Sequence, residues 1–348
     1  MTTLHDPVAM PRARRGPGVV ALITLLLAVT FVAAMCLGRT HYSPVDVINA
    51  LFGHAADDKA RMILQTLRLP RVLMAFAIGG ALSVAGLLMQ TLTRNPLATP
   101  SVLGITNGSH LGFVLAFVAA PGIGPVGSMA AAFAGAIVGA TLIGIMGAAS
   151  RSSFEGERMI IGGSLIGALF GSATVGIMFV SHMYGAIFSW VVGGLVRVDW
   201  SQIAFATPLL GAGLLIAAVI IERLEALALG ESIATSLGVH TRAYCLAVMA
   251  TVVLLAGTST AVAGPIAYIG LIVPNLISRR WVAAPRLRLL ACIMGGALLS
   301  GSADLLSRSI SSSRTVPMSI WISALGASFF LAISMRTRPA GGQARSLS

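Results

Sequence analysis

Of 348 residues, 56% are hydrophobic and only 10% are charged. A soluble domain carries about 25% charged residues, so this chain could not coat a core with solvated side chains. Its formal charge of +12 would suggest nucleic acid in a soluble protein. On so apolar a chain it reads instead as loop charge that orients membrane spans, and no nucleic-acid partner is expected. The expected fold class is therefore an all-α integral membrane protein, in contact with membrane lipid.

Taken in chain order, Arg12, Arg14 and Arg15 precede an apolar run from Val19 to Leu37. That run exceeds the about 7–15 residues of a signal-peptide core. It reads as a first span, with residues 1–17 a basic cytoplasmic N-terminus. An apolar helix of about 20 residues crosses the hydrocarbon. On that criterion about ten spans are expected, over roughly 18–38, 70–90, 102–120, 126–149, 159–181, 203–222, 243–262, 265–279, 288–307 and 316–335. The third and eighth are short. With this count both termini are cytoplasmic, and most of the 23 basic residues fall on that side, as the positive-inside rule requires. Residues 18–335 would then be one transmembrane domain and 336–348 a polar cytoplasmic tail.

Three connecting segments are more than turns. Ser43-Pro44-Val45-Asp46 has the composition of a helix start, with Pro in the first turn, so a short extracytoplasmic helix is expected there. Residues 184–200 hold an apolar run too short to span, consistent with a re-entrant or interfacial segment. Residues 223–242 are polar, with Leu224, Leu227 and Ala228 at helical spacing and Gly230 as a stop. A second short helix would run from Glu231 to Leu237 and end at Gly238.

Small residues recur four apart: Gly104, Gly108 and Gly112; Gly135 and Gly139; Gly163, Gly167 and Gly171. Such ridges let helix backbones approach closely in a membrane. Lys59 is the chain's lysine and lies outside any GK[ST] sequence, so ATP hydrolysis by a P-loop is excluded. Cys36, Cys245 and Cys292 lie in apolar stretches without a CxxC, which argues against a disulfide framework. The histidines show no ligand spacing. His182 with Met178 and Met183 would suit a soft metal, but core packing is the better account and no metal site is expected. Asp304 and Arg308 lie four apart near the outer end of the ninth span. They would pair locally or face a partner.

Residues 68–112 are more specific. Pro70 starts a span, Asn95-Pro96 breaks the chain at the cytoplasmic face, and Pro100 and Gly104 start the next span. Here the chain resembles the permease family of ABC importers for iron–siderophore complexes, haem and vitamin B12. The resemblance runs from about residue 68 to 335. It rests on RLPR (Arg68 to Arg71), QTLTRNPLATP (Gln90 to Pro100, with Arg94, Asn95 and Pro96), Leu103-Gly104, WVVGGLVRVDW (Trp190 to Trp200) and LALGESIATSLGV (Leu227 to Val239). It continues with AGPIAYIGLIVPN (Ala263 to Asn275, with Gly264, Pro265, Gly270 and Pro274), Ala303-Asp304 and ALGASFF (Ala324 to Phe330).

The resemblance implies a type II ABC importer bundle of about ten helices that pairs with a second permease, identical or related, around a central path. Its further partners would be a cytoplasmic P-loop ATPase dimer, which uses the ATP, and a periplasmic or lipid-anchored binding protein. The permease itself would hold no cofactor, catalyse nothing and sit in the bacterial plasma membrane. By position, Leu227, Gly230, Glu231, Leu237 and Gly238 match the family's coupling loop. Arg68, Arg71 and Arg308 match arginines presented outward to the binding protein, and Ser152, Ser153, Glu155 and Glu157 match its cytoplasmic gate. Asn275 stands where the family has His, Met318 where it has Gly and Ser328 where it has Pro. The implied substrate is a ferric siderophore, with haem or cobalamin next. An ion-coupled secondary transporter is the rival reading from another class.

Overall fold

The structure is a computed structural model that describes residues 16–38, 40–53, 57–148, 156–182, 190, 192–195, 198–228, 241–277, 281–310 and 316–336. Among these the regular structure is entirely helical. The helices are α1 (Gly16–Cys36), α2 (Pro44–Leu51), α3 (Asp58–Arg61), α4 (Leu69–Thr93), α5 (Ile105–Ala119), α6 (Pro125–Ala148) and α7 (Gly156–Ser181). They continue as α8 (Trp200–Ala228), α9 (Thr241–Val252), α10 (Thr258–Ala263), α11 (Ile269–Leu276), α12 (Pro285–Ser309) and α13 (Met318–Arg336). A π-helical stretch, Met62–Arg68, joins α3 to α4, and another, Val253–Gly257, joins α9 to α10.

Seven helices among the described residues are long and apolar enough to cross a membrane, while α5 and α13 are shorter apolar helices. The eighth expected span is a half-length helix: α11 has only eight residues. The chain before it turns at Gly264, whose φ of +66° and ψ of −163° suit glycine alone.

α4 is the axis of the bundle, buried without interruption from Ile78 to Met89. In lipid there is no hydrophobic force to press helices together, so close packing depends on small residues. The glycines show this directly. A Cβ on Gly79 would lie 2.2 Å from the Gly296 carbonyl oxygen of α12, and one on Gly86 would lie 2.0 Å from that of Gly270 in α11. Two of the ridges expected from sequence meet each other. Gly108 packs on Gly135, and Gly139 on the carbonyl of Gly104. The third ridge differs: Gly167 faces the Asn107 side chain, and a Cβ on Gly171 would meet nothing within 4 Å. At the rim, α1 buries little beyond Ala34, Met35 and Cys36 at its end and leaves Leu22, Leu25 and Val29 exposed.

The short helix expected at Ser43 is α2. The Ser43 hydroxyl accepts from the Asp46 backbone N–H at 3.2 Å, and the Asp46 carboxylate accepts from the Ser43 N–H at 3.0 Å, closing a capping box. The Ser43 hydroxyl also donates to the Asp46 carboxylate at 2.8 Å, and that bond, with the one from the Ser43 N–H, holds the Asp46 carboxyl below its usual range. A carboxylate whose folded pKa is depressed stabilises the fold above its unfolded pKa, about 4. That contribution is lost as pH falls through the folded value. Amide protection in α2, corrected for the intrinsic exchange rate, should therefore fall on acidification, and Ser43→Ala should flatten the dependence. Exchange that is insensitive to pH after correction for the intrinsic rate would refute this account of the cap.

Candidate functional site

Three places gather chemistry: a charge cluster at the α1/α4/α12 end, a polar break inside the bundle, and an ionic joint at the opposite end.

At the first, Asp304 of α12 is 1% exposed and sits between two arginines. Arg71 of α4 reaches its Oδ1 through Nη2 at 2.8 Å and Nε at 2.9 Å. Arg308, one turn along α12, approaches Oδ2 through Nε at 3.0 Å. The latter contact is an ion pair one helical turn apart. The two charge centres of the arginines against one carboxylate leave the cluster net positive.

Arg68 is placed differently from the outward presentation that the resemblance implies. It is 6% exposed. Its guanidinium donates to the Met35 carbonyl at 2.6 Å, to the Thr40 carbonyl and to Thr40 Oγ1 at 3.0 Å, and lies 5.1 Å from the Tyr42 ring centre. Arg308 also donates to the Ala34 carbonyl, at 3.3 Å. The physical reason is that the last carbonyls of α1 have no intrahelical partners, and these two cations supply them. Of the three arginines, Arg71 keeps the most exposed side chain, at 15%.

Inside the bundle, residues from the quoted motifs contact one another. Gln90 donates to the Gly270 carbonyl at 2.9 Å, and Asn275 donates to the Pro96 carbonyl at 2.9 Å. Asn275, a departure from the family pattern, thus ties α11 to the Asn95-Pro96 connection. Arg94 ends α4 in the left-handed region, and Asn95 Oδ1 accepts from the Leu97 N–H at 2.9 Å. Pro100 opens a 3-10 turn that Gly104 closes with φ +64°.

Trp190, Gly193 and Gly194 pack against the Ala263-Gly264-Pro265 break. Gly194 N–H donates to the Ala263 carbonyl at 2.7 Å, and a Cβ on Gly264 would lie 2.3 Å from the Trp190 carbonyl oxygen. This part of the 184–200 segment is therefore drawn into the bundle. Trp190 stacks on Phe113 with centroids 3.9 Å apart and meets His110 edge-on at 5.5 Å. His110 Nε2 is buried without a hydrogen-bond partner among the described residues. Met318, another departure, is buried beside Gly194, and Pro274 lies inside α11.

At the opposite end, Arg288 of α12 pairs with Glu225 of α8, with side chains 4% and 14% exposed. Arg286 pairs with Glu222 at 2.9 Å, both exposed. Arg223 donates to the Tyr244 hydroxyl, joining α8 to α9. None of these ties was anticipated from sequence, because the partners lie far apart in the chain. Leu227 lies in the last turn of α8 and Glu157 in the first turn of α7. Gly230, Glu231, Leu237 and Gly238, with Ser152, Ser153 and Glu155, lie outside the described residues. Among the described residues, no group of three His, Cys, Asp or Glu is placed to hold a metal ion.

A model of the FecCD transport family matches residues 26–336. The chain belongs to the FecCD transport family. It is 32% identical to the iron(3+)-hydroxamate import system permease protein FhuB of Bacillus subtilis (strain 168), over 90% of this chain and 82% of that protein. It is 31% identical to the hemin transport system permease protein HmuU of Yersinia pestis, over 94% and 97%. It is 30% identical to the vitamin B12 import system permease protein BtuC of Klebsiella pneumoniae, over 92% and 94%. In three dimensions it resembles an inward-facing structure assigned to the metal-chelate type of ABC transporter, with a TM-score of 0.80 and 27% identity. That match covers 92% of this chain and 99% of the other. As a FecCD protein the chain is a multi-pass permease subunit of an importer, and the curated proteins it resembles are permease components.

Proposed function

We propose that this FecCD chain is the membrane-spanning subunit of an ATP-driven importer, and that it moves a ferric siderophore inward by alternating access. The observation that carries the reading is the family match over residues 26–336, joined to a similar inward-facing structure over 92% of the chain. Haem and vitamin B12 permeases among the relatives keep those chelates as the alternative cargo. ATP hydrolysis belongs to a cytoplasmic P-loop ATPase dimer that docks on the segment after Leu227, around Gly230, Glu231 and Gly238. A second permease subunit completes the path, and a periplasmic or lipid-anchored binding protein delivers the cargo near Arg71 and Arg308. The complex sits in a bacterial plasma membrane with both termini cytoplasmic. Ligand-driven switching between access states requires unequal affinity for the two, which an ATP-bound partner supplies.

Mass spectrometry of the complex purified from native membranes in mild detergent tests this. The expected result is a stoichiometric P-loop ATPase. Vesicles containing the complex and the binding protein should then accumulate a ferric chelate only with internal Mg-ATP. Uptake that persists without ATP and collapses with the ion gradient would establish a secondary transporter instead.

A further inference from the structure

α12 carries an ion cluster at each end. Its first turn holds Arg286 and Arg288, paired to Glu222 and Glu225 of α8. Its last turns hold Asp304 and Arg308, joined to Arg71 of α4. The whole helix has 25 residues, with Pro only at its first position, a reach of about 37 Å at 1.5 Å per residue. Its neighbours at the Glu225 end are not continuous in this way. α8 has Pro208 in its interior, a position that removes a helical hydrogen bond and permits a kink. α9 passes into the π-helical stretch Val253–Gly257.

α12 is also locked sideways. Gly296 meets Gly79 backbone to backbone, with a notional Cβ 2.2 Å from the Gly79 carbonyl oxygen, and Phe76 fills the space over Gly301. Interfaces this tight do not deform gradually; they move as a body. The α4–α12 pair, closed at its far end by Arg71–Asp304–Arg308, is such a body.

We propose that the α4–α12 pair is the rod that carries ATP-driven motion across the membrane, and that Glu225–Arg288 is the joint that drives it. The proposal rests on the importer reading, which places the ATPase-docking segment directly after α8. Glu225 lies in the last turns of α8, so displacement of that segment reaches Arg288 through the ion pair. Arg223 and Tyr244 tie the start of α9 to α8, so both sides of the segment move together. Burial separates the two ion pairs in strength. Arg286 and Glu222 are 74% and 52% exposed and contribute little, whereas Arg288 and Glu225 are nearly enclosed. Glu225 and Arg288 are therefore positioning residues for transport, touching neither ATP nor cargo.

The test uses the complex with its co-purified ATPase, reconstituted in lipid. Spin labels at Ile310→Cys, just past α12, and Val180→Cys, at the end of α7, report a distance before and after Mg-ATP with vanadate. Both positions are exposed, and the native cysteines are buried. The nucleotide should change this distance in the otherwise native protein. Glu225→Gln should reduce the nucleotide's effect on the equilibrium constant between the two distance populations at least about fivefold, the lower end of typical coupling between sites, with the ATPase still bound. The charge swap Glu225→Arg with Arg288→Glu should restore most of it.

An undiminished change in Glu225→Gln, or a swap that restores nothing, overturns the joint. Loss of the ATPase from Glu225→Gln would assign the pair to assembly and overturn it as well. A distance that ignores nucleotide in the native protein overturns the rod. If no ATPase co-purifies with the native chain, it is the importer reading that fails.

Discussion

Replacing Asp304 with Ala should cost about 3–5 kcal/mol of stability, the scale for removing one partner of a buried ion pair. The carboxylate is 1% exposed, and its two partner side chains are 15% and 9% exposed. Without it, Arg71 and Arg308 would face each other in a poorly hydrated site with no counter-charge. Arg308 would still hold the Ala34 carbonyl, but at 3.3 Å that bond is weak compensation. Denaturant or thermal unfolding of the detergent-solubilised protein would measure the loss. The mechanism makes a second demand. Adding Arg71→Met and Arg308→Met should recover much of the stability, because unpaired charge, not lost packing, causes the damage. A loss below about 1 kcal/mol in Asp304→Ala would mean that water reaches the cluster and screens it.

The same cluster shows where sequence reasoning stops. Asp304 and Arg308 are four apart on one helix, so their pairing was one of two open readings. Arg71 joins them across 233 residues of chain, and nothing local announces that. Arg68 belongs to an RxPR motif that suggested outward display. Its inward turn depends on α1 ending beside it with unpaired carbonyls, which is a fact of assembly. The cap at Ser43 was legible because capping is local chemistry. The Gly104–Gly112 and Gly135–Gly139 ridges were legible as packing surfaces, but their meeting was not. The open position at Gly171 shows that the same spacing does not require the same use. Glu225–Arg288 had a faint signal: a Glu in the last turns of an apolar helix and an Arg in the first turn of another. Pairing them needed the spatial order of the helices.

Glycine placement yields the second large effect. Gly86→Val should severely reduce the amount of folded protein, whereas Gly171→Ala should be tolerated. A Cβ on Gly86 would sit 2.0 Å from the Gly270 carbonyl oxygen and 2.4 Å from its Cα. Those are backbone atoms, which cannot rotate away like the end of a side chain. Gly270 is constrained as well, though less tightly, with a notional Cβ 2.8 Å from the Leu82 carbonyl oxygen, and it also accepts the Gln90 hydrogen bond. Relief of the clash would push α11 off α4, break the Gln90 bond and strain the turn at Gly264. Overpacking alone costs about 1–3 kcal/mol, and the lost hydrogen bond adds about 1 kcal/mol. At Gly171 an added methyl meets nothing within 4 Å, and Ala is favoured over Gly in a helix by about 1 kcal/mol. Fluorescence-detected size exclusion and thermal melting of the two variants would compare them directly. Equal behaviour would mean that α11 shifts on α4 without penalty, and would remove the rigid crossing on which the geometry of the half-length helix depends.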